Sequence, residues 1–316
     1  MTVACPRRTE RRDPRGAQVT PRDLLLLGFL ADAGYASSGA LGRLAGMSGD
    51  MVRRRLRVLR DLGLVKKHVV ALNEPDKVTL TTEGRRLVAE KSGREVDDIP
   101  PGILGRGSHL HHDMGVDVAV ALMVALGLCN IWRLTDYWFE RRVRAELGAP
   151  GGALVPDAVV HLEDRNGRAH VLAIEIETGT NDPKWVAARK LTVYGEHFAE
   201  RRPLFGCASW SVCIVTRTLA QLHRVTTALW RAGVPEGLVY LLPLPDLDPE
   251  TVLEDVWSTP RAVPGNEDVA LMPASPFPRV TTDHHDRCDG LAVESSRQPG
   301  PVAPARYARS GARSAP

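Results

Sequence analysis

The sequence predicts two folded domains of different class. A small α+β domain of helices and a short hairpin precedes an α/β domain with a mixed sheet flanked by helices, and a disordered tail follows. Three observations predict this. The 316 residues exceed what one hydrophobic core usually holds. The apolar pattern is helical over most of the first third and alternates between strand and helix spacing after residue 108. Between the two patterns lies a polar stretch, 92–108, with Pro100, Pro101 and three glycines at 102–107.

Composition narrows the class. Hydrophobic residues at 43% and charged residues at 25% suit a folded chain and argue against a mostly disordered one. The longest uncharged apolar run, Val118–Cys129, is twelve residues, against the roughly twenty of a bilayer-spanning helix, so no membrane span is expected. Arg7, Arg8, Arg11 and Arg12 lead into no long apolar segment, so no secretory signal is expected. The five cysteines (Cys5, Cys129, Cys207, Cys213 and Cys288) are scattered and form no CxxC pair. A cytoplasmic protein with reduced thiols is the expectation.

Charge divides the chain. Residues 1–94 hold 19 Lys or Arg against 10 Asp or Glu, and residues 95–316 hold 22 against 28, although the net charge is only +3. A basic first third on a mildly acidic remainder fits either a nucleic-acid-binding module or a solvated basic surface.

The elements follow in order. Residues 1–19, rich in Arg and Pro, read as a flexible basic arm. Thr20 suits an N-cap and Pro21 the first helical position, and Leu24–Leu30 gives the apolar face of a helix ending near Gly34. Ser38–Gly46 reads as a second helix. Ser48 caps a third, which carries Met51, Val52, Leu56, Leu59 and Leu62 on its buried side. Leu64–Leu72 and Lys77–Thr81 read as two strands about a turn, and Thr82 opens a helix through about Lys91. Residues 20–92 thus form the first domain, and 93–108 the linker.

The second domain, 109–258, opens with an apolar helix over about His109–Leu128. Ile131–Leu134 reads as a strand and Trp138–Leu147 as a helix. Leu154–Leu162 and Ala169–Glu177 are strands joined through Asp164-Arg165-Asn166-Gly167, where Asn-Gly signals a hairpin. Trp185–Glu200 reads as a helix, Ser211–Thr216 as a buried strand, Leu219–Ala232 as a helix and Val239–Leu242 as the last strand. From Thr259 the chain carries nine prolines and no periodicity, so 259–316 is expected to be a disordered tail. Asp283-His284-His285-Asp286 lies there without a core to fix ligand geometry, and no specific metal site is expected from it.

Two groups of residues carry the expected chemistry. Arg53, Arg54, Arg55, Arg57 and Arg60 crowd the third helix, where they suit phosphates and guanine edges, while Lys66, Lys67 and Lys77 flank the hairpin and suit the DNA backbone. The second group is acidic. Glu175 and Glu177 point to one face of their strand, and the hairpin brings Asp157 alongside. Carboxylates so grouped repel one another unless a cation or basic group sits among them, and hard oxygen donors suit Mg²⁺. Lys190, with Tyr194 one turn later, lies on the following helix. The alternative is a set of ordinary salt bridges with Arg189 or Lys190 in an inert domain. His109, His111, His112 and Asp113 are read as a polar helix start, with a metal or phosphate contact as the other reading. The six tryptophans follow no repeat and are read as packing.

The order helix, helix, Arg-rich helix, hairpin, helix, with DLGLVKK followed by KVTLTTEGRRLV, resembles the winged helix-turn-helix family over residues 20–92. That resemblance implies a double-stranded DNA partner. Pro156-Asp157 and Glu175 resemble the PD and the acidic residue of the PD-(D/E)XK nuclease-like superfamily, whose core is helix, three strands, helix, strand. Glu177 departs from the lysine of that motif. The resemblance implies that Asp157, Glu175 and Glu177 hold Mg²⁺, that Lys190 takes the displaced lysine's role, and that Glu140 adds a carboxylate as in some members. The winged helix, the HHDMGVDVAVAL helix, the Trp138–Arg141 element, LVPDAVV, the strand ending Glu175-Ile176-Glu177 and KLTVY together resemble the replication-relaxation family over about residues 20–245. This implies a DNA-binding protein of plasmid or mobile-element replication, maintenance or transfer, with plasmid replication or transfer proteins and a second copy in a homodimer as expected partners. Two readings stay open: a Mg²⁺-dependent nuclease or nickase, and a transcriptional regulator whose second domain only mediates dimerisation or partner contact.

Overall fold

The computed structural model describes residues 18–70, 74–102, 104, 109–147, 155–186, 191–235, 237–262 and 269–278. The chain forms two compact units, residues 1–104 and 105–316.

In the first unit, α1 (Pro21–Ala33) starts at a reciprocal cap. The Thr20 hydroxyl accepts from the Asp23 amide at 3.3 Å, and the Asp23 carboxylate accepts from the Thr20 amide at 2.6 Å. Gly34, at φ 82°, ends the helix. β1 (Tyr35–Ser37) leads into α2 (Ser38–Leu44), and Ser48 caps α3 (Gly49–Asp61). β2 (Val65–His68), β3 (Lys77–Leu80) and α4 (Thr82–Ser92) complete the unit. Leu26, Leu27, Leu30, Leu41, Val52 and Leu59 form its centre.

The sheet here has three antiparallel strands in the order β1-β3-β2, where the sequence predicts two. β1 is three residues long, too short to show period two, and pairing with β3 rather than propensity makes it a strand. Its addition turns β3 into a central strand. The strand expected over Leu64–Leu72 stops at His68, and 71–73 lie outside the described residues. Met51, expected inside, is half exposed.

In the second unit, α5 (Leu110–Leu128) packs against β4 (Trp132–Phe139) and β6 (Ala169–Glu177). By length and composition α5 could cross a membrane. Here Met114, Val118 and Leu122 are fully buried within the unit. β4 runs on to Phe139, past the expected Leu134, and α6 (Glu140–Leu147) starts correspondingly late. β5 (Ala158–Asp164) and β6 form the expected hairpin. Asp164 Oδ1 accepts from the Asn166 and Arg168 amides at 2.8 Å, and Gly167 takes φ 77°.

The helix expected over Trp185–Glu200 is described as α7 (Pro183–Val186) and α8 (Thr192–Ala199), with 187–190 outside the described residues. β7 (Trp210–Thr216), α9 (Leu219–Arg231) and β8 (Val239–Pro243) follow.

The sheet has seven strands in the order β10-β9-β8-β7-β6-β5-β4. β6, β7 and β8 are parallel and the other pairings antiparallel. One core joins Val159, Val171, Ala173, Val212 and Ile214 from the strands to Val143, Tyr194, Leu222, Val225 and Leu229 from α6, α8 and α9. Val171 and Ala173 are its members from β6.

The expectation that ordered structure ends at residue 259 is corrected. β9 (Trp257–Ala262) and β10 (Val269–Ala274) extend the sheet. Trp257, fully buried, donates from Nε1 to the Val252 carbonyl at 2.8 Å. Phe277 is buried near Trp132, with ring centroids 6.4 Å apart. Residues 279–316, including Asp283-His284-His285-Asp286, lie outside the described residues.

Candidate functional sites

The two groups of site residues lie in different units. On α3, Val52 and Leu59 face the core and leave Arg53, Arg54, Arg57 and Arg60 exposed. Spacings of three and four place Arg53, Arg57 and Arg60 on one helical face, with Arg54 at its margin. Arg53 reaches Asp50 at 2.5 Å, and Arg60 lies 3.7 Å from Asp61. Among the described residues, Arg54 and Arg57 meet no carboxylate.

Arg55 departs from expectation. It points away from that face and pairs through Nε and Nη2 with both oxygens of Asp23, which has no exposed surface, and Nη2 also donates to the Gln18 carbonyl at 2.6 Å. Burial alone would raise the Asp23 carboxyl. Hydrogen bonds from Arg55 and Thr20, with the guanidinium charge, outweigh it and hold the pKa below its ordinary value. Arg55 is a clamp between α1 and α3. Lys66 is exposed, and Lys67 pairs with Asp76. Lys77 is 1% exposed. Its place opposite Ser37 and His68 in the central strand removes it from the surface the sequence suggested.

In the second unit the acidic residues gather at one end of the sheet. The β5–β6 register pairs Ala158 with Ile174, and Asp157 stands one residue before that pair. Asp157 is fixed twice to β6. Its amide donates to the Ile174 carbonyl at 2.9 Å, and its Oδ2 accepts from the Ile176 amide at 2.7 Å. His111 Nε2, from the first turn of α5, stands 3.3 Å from the same Oδ2.

Glu175 and Glu177 are 1% and 2% exposed. The Tyr194 hydroxyl, fully buried on α8, donates to Glu175 Oε1 at 2.9 Å. Burial, the Glu175 charge and that hydrogen bond, and then the Asp157 charge, push the Tyr194 pKa well up, so the phenol stays a donor.

Not every expected member joins this group. Glu140 opens α6, one residue past the Phe139–Ala158 pair, and binds Arg144 Nη2 at 2.5 Å and Nε at 3.0 Å. Lys190 lies outside the described residues. Among the described residues no three His, Cys, Asp or Glu side chains meet as a ready-made metal cage. Asp157 and Glu175 are instead a pair of hard oxygen donors, the number a hydrated Mg²⁺ commonly takes from protein.

Two groups escape a sequence reading. Asp23 looks like an ordinary first-turn acid, and only the fold gives it Arg55. Tyr137, on β4, is buried with a hydroxyl that finds no hydrogen-bond partner among the described residues, and its pKa is raised by burial and by the Asp157 charge.

No curated protein and no solved structure matches the chain. A family model described as replication-relaxation matches residues 27–203, a span from α1 past α8 that includes Asp157, Glu175 and Glu177. The chain belongs to the replication-relaxation family.

Proposed function

We propose that this protein binds double-stranded DNA through residues 20–92, as a winged helix-turn-helix, and nicks or cleaves DNA at the carboxylates of a PD-(D/E)XK nuclease-like domain, 109–258, in the replication, maintenance or transfer of a plasmid or mobile element. Family membership supports a role in replication. The exposed arginine face of α3, next to a hairpin carrying Lys66 and Lys67, supports the DNA contact. The observation that carries the nuclease reading is that Asp157 is bonded to β6 on both sides of Glu175, at the Ile174 carbonyl and the Ile176 amide, with Tyr194 anchoring Glu175.

In this reading Asp157 and Glu175 hold Mg²⁺, with Glu177 as a further ligand or a base and Lys190 orienting the water or neutralising charge on the phosphate. The cation, when bound, supplies an activated water and stabilises charge on the scissile phosphate. The chain's own part is positional: Ile176 and His111 fix Asp157, and Tyr194 fixes Glu175.

The burial of Glu175 and Glu177 favours a second reading, a transcriptional regulator whose nuclease-like domain is inactive and serves dimerisation or partner contact. One experiment separates the two. Supercoiled plasmid is incubated with the protein and Mg²⁺, Mn²⁺ or EDTA, beside a Glu175→Gln variant that keeps an acceptor for Tyr194. Metal-dependent nicking lost in the variant supports the nuclease. Gel shifts with no cleavage under any condition support the regulator.

A further inference from the structure

The guanidinium of Arg53 is drawn back along α3 toward the start of the helix. Its Nη2 donates to Asp50 Oδ1, one turn earlier, at 2.5 Å. Gly49, the first residue of α3, leaves room for it: a Cβ there would meet Arg53 Nη1 at 3.2 Å and Cζ at 3.7 Å. Both side chains are largely exposed, 65% for Arg53 and 86% for Asp50. An ion pair this exposed adds little to stability, so folding is a weak reason for the arrangement.

The pair has a chemistry of its own. A guanidinium carries its N–H donors in one plane. Whichever Nη2 proton Asp50 takes, one edge of Arg53 keeps two parallel donors. The N7 and O6 acceptors of guanine in the major groove take two donors so arranged. Asp50 also offsets the Arg53 charge. Attraction to a phosphate, which depends on net charge, is weakened, while the directional match to a neutral base edge is kept. Arg57 meets no carboxylate among the described residues and keeps its whole charge for the DNA backbone.

The position suits a reader of bases. Arg55, on the other side of α3, ties the helix to Asp23 of α1, so the face with Arg53 is turned outward. In helix-turn-helix docking, the N-terminal part of the groove-entering helix meets base edges. A bare Asp50 there would repel DNA, whereas bound to Arg53 it becomes part of the contact. We propose that Arg53, oriented by Asp50 over Gly49, makes a bidentate contact to a guanine and gives α3 its sequence preference at one base pair. Asp50 is a positioning residue. The inference rests on the DNA-binding reading under Proposed function.

The full-length chain is mixed with labelled duplexes that carry a randomised central segment, and the bound and input duplexes are sequenced. Wild type is compared with Arg53→Ala, Asp50→Ala and Arg57→Ala, with total affinity measured in parallel by fluorescence anisotropy. Wild type is expected to favour guanine at one position by about tenfold. Arg53→Ala should remove that preference. Asp50→Ala should weaken it while total affinity holds or rises, because an acid that repels phosphates has gone. Arg57→Ala should bind every sequence less tightly and keep the guanine.

Three results overturn the inference and leave DNA binding standing: a guanine preference equal to wild type in Arg53→Ala, the same in Asp50→Ala, or wild-type binding with no sequence preference. A wild type that retains no duplex removes the DNA-binding reading itself and the inference with it.

Discussion

Arg55 binds both oxygens of Asp23 across 32 residues of sequence, and Asp23 has no exposed surface. This pair joins the start of α1 to the middle of α3, so it sets how the Arg-bearing helix is held. Breaking it from the Arg55 side leaves a buried, uncompensated carboxylate. Arg55→Ala is expected to cost about 3 kcal/mol of stability in urea unfolding. Asp23→Asn with Arg55→Gln is expected to cost less than the sum of the single changes. The folded Asp23 pKa lies below the ordinary 3.8, so this stabilisation is present above that pH and lost as pH falls through the folded value. Strict additivity of the two changes would show that the residues do not act as a pair.

Arg54 and Arg57 differ from their neighbours in charge balance. Arg53 and Arg60 lie beside Asp50 and Asp61, whereas Arg54 and Arg57 meet no carboxylate among the described residues. Their full charge is open to a phosphate or a guanine edge. Arg54→Ala and Arg57→Ala should each weaken duplex binding and reduce the slope of log K against log salt by about 1. Arg53→Ala should change the slope less, because Asp50 already offsets its charge. Fluorescence anisotropy with a labelled duplex over a range of salt concentrations measures all three. Unchanged affinity at Arg54 and Arg57 would remove α3 as the docking element.

The carboxylate end of the second unit was legible because it depends on local rules. Period two puts Glu175 and Glu177 on one face, and Asn166-Gly167 folds Asp157's strand back alongside. What was not legible depends on long-range pairing. Nothing local distinguishes Lys77, which β1 buries by making β3 central, from exposed Lys66 and Lys67. Arg55 carries the same charge as Arg54, and only Asp23 sets it apart. β9 and β10 contain Pro260 and Pro273, which look like tail composition, yet Trp257 and Phe277 are buried in the same segment.

Gly84 records a close approach between α4 and the segment entering β2. A Cβ built there would clash with the Leu64 carbonyl oxygen, which also accepts from the Thr81 amide at 3.0 Å. Backbone cannot yield as a side chain does. Gly84→Ala should push α4 off the hairpin and lower stability by about 2 kcal/mol, in spite of alanine's better helix propensity. A variant that melts at or above wild type would contradict that contact.

His170 ties β6 to the end of the described chain. Pro276 offers only a carbonyl oxygen, so Nε2–H donates to it at 3.1 Å, and Nδ1 then accepts from the Ser209 hydroxyl at 2.7 Å. The ring is thus fixed as one neutral tautomer, 2% exposed. Burial pushes its pKa down to about 4, against the opposing pull of the hydrogen bonds at Pro276 and Ser209. The unfolded histidine titrates near 6.5, so between those values the unfolded state binds more protons and stability falls as pH falls. The full loss across this window is roughly 3 kcal/mol, and it is complete near the lower value. Urea unfolding at pH 7, 6, 5 and 4 should show this decline in wild type. His170→Gln should be less stable at pH 7, having lost a hydrogen bond, and decline less between pH 7 and 5, where few carboxylates titrate. Parallel curves for the two proteins would mean that His170 protonates on the surface, and that the contact with Pro276 does not hold in solution.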